Sequence, residues 1–389
     1  MTKVFHHFID YCKRTDWIFW ILSLMATGYG LLLIKSLDRA AGTEDKSFFP
    51  VQVLAVSLGY FAAVLLSIID YNFIAKLWPV VAAICVGAML LTFTGLGIGV
   101  EGADDRAWLD LGVTTFQPSE LLKIGFIITF AKHLAVLKEQ GKLHSFPWVC
   151  TLVAHAAIPM VLVHFQGDDG PAIIFLFMFL IMAFAAGVQL RYFLIAIAAV
   201  LCAVPILWQF VMNEDQKSRI LSLFDLDGTA KDVGWQQYQG KISIASGELE
   251  GRGLFQGPRV SKGIVPYQEN DFIFTVAGEE LGFIGCVILL GILLFLLLRS
   301  LQNASIAKDP LGCYICFGFF ALIGSQSIIN IGMCLGLLPV VGVTLPFFSA
   351  GGSSVACLYL AVGLVESVYM HQQNEDKVTI HLSSRQLAH

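Results

Sequence analysis

Apolar residues in this chain run in blocks long enough to cross a lipid bilayer, and nearly all the polar stretches between them are short. A spanning helix needs about twenty predominantly apolar residues to cover the hydrocarbon core. That ruler predicts ten spans, at roughly 16–35, 49–69, 75–98, 120–137, 148–165, 171–188, 192–212, 272–299, 311–335 and 351–371. The exception to the short connections is the hydrophilic run 212–271, which separates the seventh block from the eighth. The predicted architecture is an all-α integral membrane protein, a single polytopic unit over residues 1–389 with one large extracytoplasmic loop at 212–271. Gln166-Gly167-Asp168-Asp169-Gly170-Pro171, between the fifth and sixth blocks, is too short for a domain and too polar for lipid, so it reads as a tight turn at one face.

Composition agrees with the pattern. With 57% hydrophobic residues, 14% charged residues and 30 phenylalanines, the chain carries more apolar surface than a soluble domain can bury. The net charge of -5 comes with no basic block and no basic patch interleaved with aromatics, which argues against a nucleic-acid partner. The nine cysteines lie inside or beside apolar blocks and read as small buried hydrophobes. Cys313 and Cys316 form a CxxC, but with no second pair and no nearby histidine the spacing favours core packing over a metal or redox role. The first apolar run is too long for a cleaved signal and lacks a small-residue cleavage site, so it is read as the first span.

Orientation follows from basic residues in short loops. Lys3, Lys13, Arg14, Lys76, Lys132, Lys138, Lys142, Arg191, Arg299, Lys308, Lys377 and Arg385 fall on one side, against Lys35, Arg39, Lys46 and Arg106 on the other. Both termini are therefore expected in the cytoplasm and the long loop outside, since long loops translocate regardless of charge. No ATP is available on that side, so chemistry there must draw on an activated substrate, and no Walker motif is present.

Several polar residues sit where lipid discourages them. Gln117-Pro118-Ser119-Glu120-Leu121-Leu122-Lys123 opens the fourth block, with Ser119 and Pro118 marking a helix start. Glu120 and Lys123, three residues apart, share a helical face and form either a functional pair or a structural ion pair that holds helices together. Glu279 and Glu280 fall one to two turns into the eighth block, a costlier placement that points to function. Asp168 and Asp169 are turn formers or site residues. Asp271, at the mouth of the eighth block, is a candidate catalytic carboxylate or a helix cap.

Five of these stretches together carry a family resemblance. They are the run 117–123, Gln239-Gly240-Lys241-Ile242-Ser243-Ile244-Ala245-Ser246-Gly247, the block from Asp271-Phe272-Ile273-Phe274 to Gly285, Asn330-Ile331-Gly332-Met333, and the run from Gly336-Leu337-Leu338-Pro339 to Gly351-Gly352-Ser353-Ser354. In this order they resemble the SEDS proteins of shape, elongation, division and sporulation, the RodA/FtsW group. The resemblance implies a ten-helix membrane enzyme that polymerises lipid II into peptidoglycan strands outside the bacterial cytoplasmic membrane, an inverting glycosyltransferase acting in cell wall biogenesis. It also implies that Asp271, matching the family's essential aspartate, is the general base. Arg106 is a candidate bidentate diphosphate ligand, and Trp108 a candidate for the headgroup belt or an isoprenoid chain. Lys123 and Lys241 are candidate positive charges for the substrate. Arg219, Arg252 and Lys262 are weighed alike against plain solvated loop charges. Glu120, Asp168, Glu279 and Glu280 complete the polar candidates, with Ser353 at the opening of the last helix, where glycines suit either helix packing or anion contact.

A divalent cation, Mg or Mn, is the expected cofactor type, held by Asp168, Glu120 or Glu279; no organic cofactor is expected. The sequence departs from the family where Glu269-Asn270 replace the common His-Thr before the key aspartate, placing a second carboxylate beside Asp271. Gly167-Asp168-Asp169-Gly170-Pro171 replaces Pro-Asp-Leu-Gly-Thr, and Ala350 replaces a tyrosine. The resemblance also implies partners, a single-span class B penicillin-binding protein transpeptidase along with other elongation or division proteins. The elongation branch, RodA-like, is favoured, with the division and sporulation branches sharing every motif cited. Two readings from other classes remain: a transporter or lipid II flippase, suggested by the intramembrane carboxylates, and a noncatalytic scaffold.

Overall fold

The computed structural model describes residues 9–41, 47–99, 106–110, 112, 115–210, 212–224, 228 and 234–386, the stretch 373–386 as backbone only. Its long helices are α1 (Trp17–Ala41), α2 (Phe48–Ile68), α5 (Pro118–Glu139), α6 (Phe146–Phe165), α7 (Asp169–Ala186), α8 (Leu190–Phe210), α12 (Ile273–Ser305), α13 (Pro310–Cys334) and α14 (Gly352–Gln386). The shorter ones are α3 (Tyr71–Lys76), α4 (Trp78–Leu91), α9 (Glu214–Leu221), α10 (Trp235–Ser246) and α11 (Pro258–Ser261). Every predicted block holds a helix, and eight helices among the described residues are long and apolar enough to cross a membrane.

The two other blocks differ for identifiable reasons. The third is cut at Leu77, where Pro79 sits in the first turn of α4 and cannot donate to the preceding turn. The 14 residues of α4 rise about 21 Å, short of a hydrocarbon core of about 30 Å. The fourth, α5, is long enough but carries Glu120, Lys123, Lys132, Lys138 and Glu139. It packs among α4, α6, α7 and α13, with Glu120 and Lys123 buried and Lys138 and Glu139 exposed at its C-terminal end.

Helix α13 is the centre of the bundle, packed against α5, α7, α12 and α14. Helices α2 and α14 approach closely through small residues: a Cβ on Gly363 would lie 2.6 Å from the Ala63 carbonyl oxygen, and one on Gly59 2.9 Å from the Ala356 Cα. Helix α8, by contrast, turns apolar side chains outward along its length.

The run 212–271 is folded onto the bundle. It carries α9, α10 and α11, and α10 packs against α12. Its attachment depends on a break in α12 at Gly282, whose φ of 64° and ψ of -162° are accessible only to glycine. The break frees backbone groups, and the chain at 248–253 satisfies them. Phe283 and Ile284 N–H donate to the Glu248 and Leu249 carbonyls (3.0 and 3.1 Å), while Arg252 and Gly253 N–H donate to the Glu279 and Glu280 carbonyls (2.9 and 3.0 Å). Outward apolar side chains on α12 begin at Phe283, so the turns before the break lie inside protein. Gly282→Ala is expected to lower the thermal midpoint strongly, since a Cβ there would meet the Gly251 nitrogen at 2.3 Å. Thermal unfolding in detergent checks this; a midpoint within a degree of wild type would remove the break as a structural determinant.

Candidate functional site

The site is built where three segments converge: the turn 268–272 before α12, the C-terminal half of α13, and the irregular chain 335–351. The turn is held through its carbonyls. Asn330 Nδ2 donates to the Asp271 carbonyl (2.8 Å) and to the Val343 carbonyl (2.7 Å), so one amide ties all three segments together. Cys334 Sγ also reaches the Asp271 carbonyl (3.5 Å). Ser349 Oγ donates to the Asn270 carbonyl (2.5 Å), and Ala350 N–H to that of Glu269 (2.8 Å). Gln52 fixes the far side of the same chain, donating to the Ser349 carbonyl (3.1 Å) and accepting from Gly351 N–H (3.0 Å).

The backbone of Asp271 is therefore rigid while its carboxylate takes no hydrogen bond from the described residues. The helix cap position belongs to Phe272, without a side-chain capping bond, so Asp271 is not a helix cap. The side chain is half-buried, as is Glu269. Burial, and next the like charge of Glu269, push the Asp271 carboxyl up to about 6. A Cβ on Gly342 would stand 3.8 Å from Asp271 Oδ2, and the φ of 67° at this residue also favours glycine.

Gly342 has a second neighbour, a small polar cavity lined by Gln117, Glu120, Lys123, Gln326, Gly342 and Thr344 among others. Lys123 Nζ donates to Glu120 Oε1 at 2.8 Å, and both side chains are buried, Lys123 to 2% exposure. Ser354 Oγ donates to the other Glu120 oxygen (3.2 Å). Gln117 Nε2 donates to Asp168 (2.8 Å) and its backbone N–H to Ser353 Oγ (3.4 Å). Gln326 Oε1 faces burial with no partner among the described residues. Four sequence candidates, Glu120, Lys123, Asp168 and Ser353, thus gather behind the wall that faces Asp271. The helix start expected at Ser119 is present, with Pro118 in its first turn and Gln117 at the cap.

The other candidates lie elsewhere. Glu279 and Glu280, at 0% and 1% exposure, bind the folded loop instead of lining the cavity. Glu279 Oε1 accepts from the Arg259 and Val260 N–H groups (2.6 and 3.3 Å), and Glu280 Oε1 from Ser36 Oγ (2.6 Å). They precede the Gly282 break and lie inside protein, each with its Oε2 unpartnered among the described residues. Arg106 is exposed and reaches Gln166 through its backbone N–H (3.0 Å). Trp108 is half-buried in a three-stranded antiparallel sheet, β1 (Gly97–Ile98), β2 (Trp108–Asp110) and β3 (Thr115–Phe116), paired opposite Ile98. The start of its motif, 102–105, lies outside the described residues. Lys241 and Lys262 are exposed; Arg252 reaches Glu248 (3.7 Å), and Arg219 donates to the Val340 carbonyl (3.3 Å).

The carboxylates suggested for a cation do not converge, since Glu120 is paired with Lys123, Asp168 takes Gln117, and Glu279 is in the loop clamp. Among the described residues no three metal-ligating side chains group together. Reading by sequence alone missed Gln326 and the positional role of Asn330. Their signal was available, two amides four residues apart on one face of an apolar helix.

Known proteins extend the picture. Residues 16–374 match the FTSW_RODA_SPOVE family, described as "Cell cycle protein". The "Peptidoglycan glycosyltransferase MrdB" of Escherichia coli is 31% identical over 345 residues, 89% of this chain and 90% of the relative. The "Probable peptidoglycan glycosyltransferase FtsW" of Geobacter sulfurreducens is 32% identical over 364 residues, 92% and 95% of the two chains. A chain solved in work on polymerization and crosslinking by a peptidoglycan synthase complex superposes with a TM-score of 0.78 at 26% identity, covering 92% of this chain and 99% of that one. The rod shape determining protein RodA of Thermus thermophilus gives a TM-score of 0.67 at 25% identity, covering 92% and 97%. The extent of the match and the order of its motifs make this chain a member of the FtsW/RodA/SpoVE family.

Proposed function

We propose that this protein is a peptidoglycan glycosyltransferase that polymerises lipid II into glycan strands at the outer face of the bacterial cytoplasmic membrane, with Asp271 as general base. The observation that carries the reading is the Asp271 carboxylate, half-buried and without a hydrogen bond from the described residues, on a turn whose Glu269, Asn270 and Asp271 carbonyls are pinned; burial and the like charge of Glu269 push it up to about 6. A base needs a carboxylate whose lone pairs are not already spent on protein donors, at an affinity for the proton near the working pH. In the reaction, the acceptor sugar hydroxyl gives its proton to Asp271 as its oxygen attacks the anomeric carbon of the donor. The bond from that carbon to the lipid diphosphate breaks, and the electron pair leaves with the diphosphate. An α-linked donor and a β-linked product make this a single inverting displacement with no covalent enzyme intermediate.

A divalent cation, when bound, would neutralise diphosphate charge. The partner is a class B penicillin-binding protein. An apolar groove between α12 and α13, lined by Leu290, Leu294, Leu297, Ile328 and Ile331, offers a single transmembrane helix a seat. The excess of basic residues in one set of short loops supports reading both termini as cytoplasmic. We carry the elongation role forward; with relatives named MrdB and FtsW at 31% and 32% identity, loss of rod shape against filamentation in a depletion strain is the test that separates it from division.

The function itself is tested by incubating purified protein with lipid II, the transpeptidase and Mg or Mn. Glycan polymer supports the reading; none, with the protein folded, leaves the flippase or scaffold readings. Because only ionised Asp271 can accept a proton, kcat/KM is expected to fall as pH drops through about 6. Glu269→Gln removes the like charge and is expected to move that acid limb to lower pH. A limb unmoved by this substitution would detach Glu269 from the base.

A further inference from the structure

We propose that Arg259 is a substrate-binding residue that grips the diphosphate of the lipid-linked donor; the inference rests on the glycosyltransferase reading above. Three features single it out. First, its guanidinium is fixed along one side: Nε donates to Ser243 Oγ (2.9 Å), and Nη2 donates to Gln239 Oε1 (2.5 Å) and to the Gln239 carbonyl (3.3 Å). Its Nη1 has no partner among the described residues. Second, no carboxylate contacts the guanidinium among the described residues. Glu279 binds the Arg259 backbone N–H (2.6 Å) and makes no ion pair with its side chain. Third, the side chain is half-buried, so its donors are held in place and partly shielded from water.

Other cations of this region among the described residues lack this combination, and Arg219 is exposed with its donor on the Val340 carbonyl. Arg252 reaches Glu248, Lys217 reaches Glu214, and Arg39 lies over the Phe255 ring. Lys241 and Lys262 are exposed. A guanidinium presents paired donors to phosphoryl oxygens, and one already oriented by the protein loses little freedom on binding.

Two links connect Arg259 to the Asp271 turn. Gly240 follows the anchoring Gln239 and packs so closely on Phe272 and Thr275 that a Cβ there would stand 3.4 Å from the Phe272 ring and 3.1 Å from Thr275. On the other side, Gln268 Nε2 donates to the Val260 carbonyl (3.2 Å). The base and this cation are thus carried by one connected piece of chain without touching each other. An inverting displacement needs that separation, since the base acts on one side of the sugar carbon and the diphosphate leaves from the other. Charge grows on the leaving diphosphate in the transition state, where a preoriented donor acts most strongly.

The test compares wild type, Arg259→Gln, Arg259→Lys and Ser243→Ala. Arg259→Gln is expected to raise KM for lipid II and to lower kcat/KM by roughly 10- to 100-fold. Arg259→Lys, which keeps the charge without the fork, falls between it and wild type, and Ser243→Ala, which keeps the guanidinium and frees its Nε anchor, raises KM for lipid II by less than Arg259→Gln does. Binding is measured separately, through thermal stabilisation by inorganic diphosphate, by undecaprenyl diphosphate, and by undecaprenol as the headless control. Stabilisation by either diphosphate that is lost in Arg259→Gln supports the proposal, and the two ligands separate headgroup recognition from a requirement for the lipid. Equal stabilisation of wild type and Arg259→Gln, or lowered melting in both Arg259 variants with KM unchanged, would reduce the residue to an internal staple. A wild type that binds diphosphate through Arg259 yet makes no polymer would instead overturn the glycosyltransferase reading and leave the binding site standing.

Discussion

Lys123→Met is expected to destabilise the protein by about 3–5 kcal/mol, a large fraction of the net stability of an ordinary folded domain. The ammonium lies at 2% exposure with its carboxylate partner 2.8 Å away, and Glu120 is itself at 5%. Removing the lysine leaves a buried carboxylate with the Ser354 hydroxyl as its remaining donor among the described residues, at 3.2 Å. The cost comes from that stranded charge and not from the strength of the pair, because two charges taken from water lose most of what they gain from each other. The double variant Glu120→Gln/Lys123→Met is therefore expected to be more stable than Lys123→Met alone. Chemical or thermal unfolding in one detergent gives the comparison. A single variant as stable as wild type, or a double variant worse than the single, would show that the stranded carboxylate is not the source of the cost.

Asp271→Asn is expected to reduce polymerisation by roughly 10²- to 10⁴-fold while leaving the melting temperature nearly unchanged. Both halves follow from the same geometry. The carboxylate accepts nothing from the described residues, so its loss breaks no hydrogen bond among them, whereas the bonds that shape the turn come through backbone carbonyls that asparagine retains. Asparagine matches the size of aspartate and cannot take the proton. Removal of Asn330 should behave in the opposite way: Asn330→Ala cuts the link between the Asp271 and Val343 carbonyls, and so loosens the turn and lowers stability together with rate.

The apolar blocks made the helices legible because in lipid every backbone group must be paired within the segment, which leaves helix as the only form for such runs. Asp271, Glu120 and Lys123 were legible for a related reason, as charges that lipid would reject unless protein surrounds them. Glu279 and Glu280 were misplaced by the same logic. Their block reads as one continuous span, and nothing local to Gly282 announces a break, because the groups that repair it come from 248–253. The cut at Leu77 was signalled by Pro79, yet the apolar run continues across it. Arg106 looked like a phosphate ligand by residue type, but the sheet at 97–116 leaves its side chain exposed. In the sequence Arg259 is one loop charge among several; only the fold reveals that Gln239 and Ser243 hold it.

That Asp271 removes the acceptor proton is tested most directly by the initial rate of glycan polymerisation from lipid II by purified wild type and Asp271→Asn, assayed with the transpeptidase and a divalent cation after matching the two proteins for melting temperature. The predicted result is polymer from wild type and a rate at least about a hundredfold lower from a variant that melts with it. Equal rates from the two proteins would contradict that role and remove Asp271 as the base.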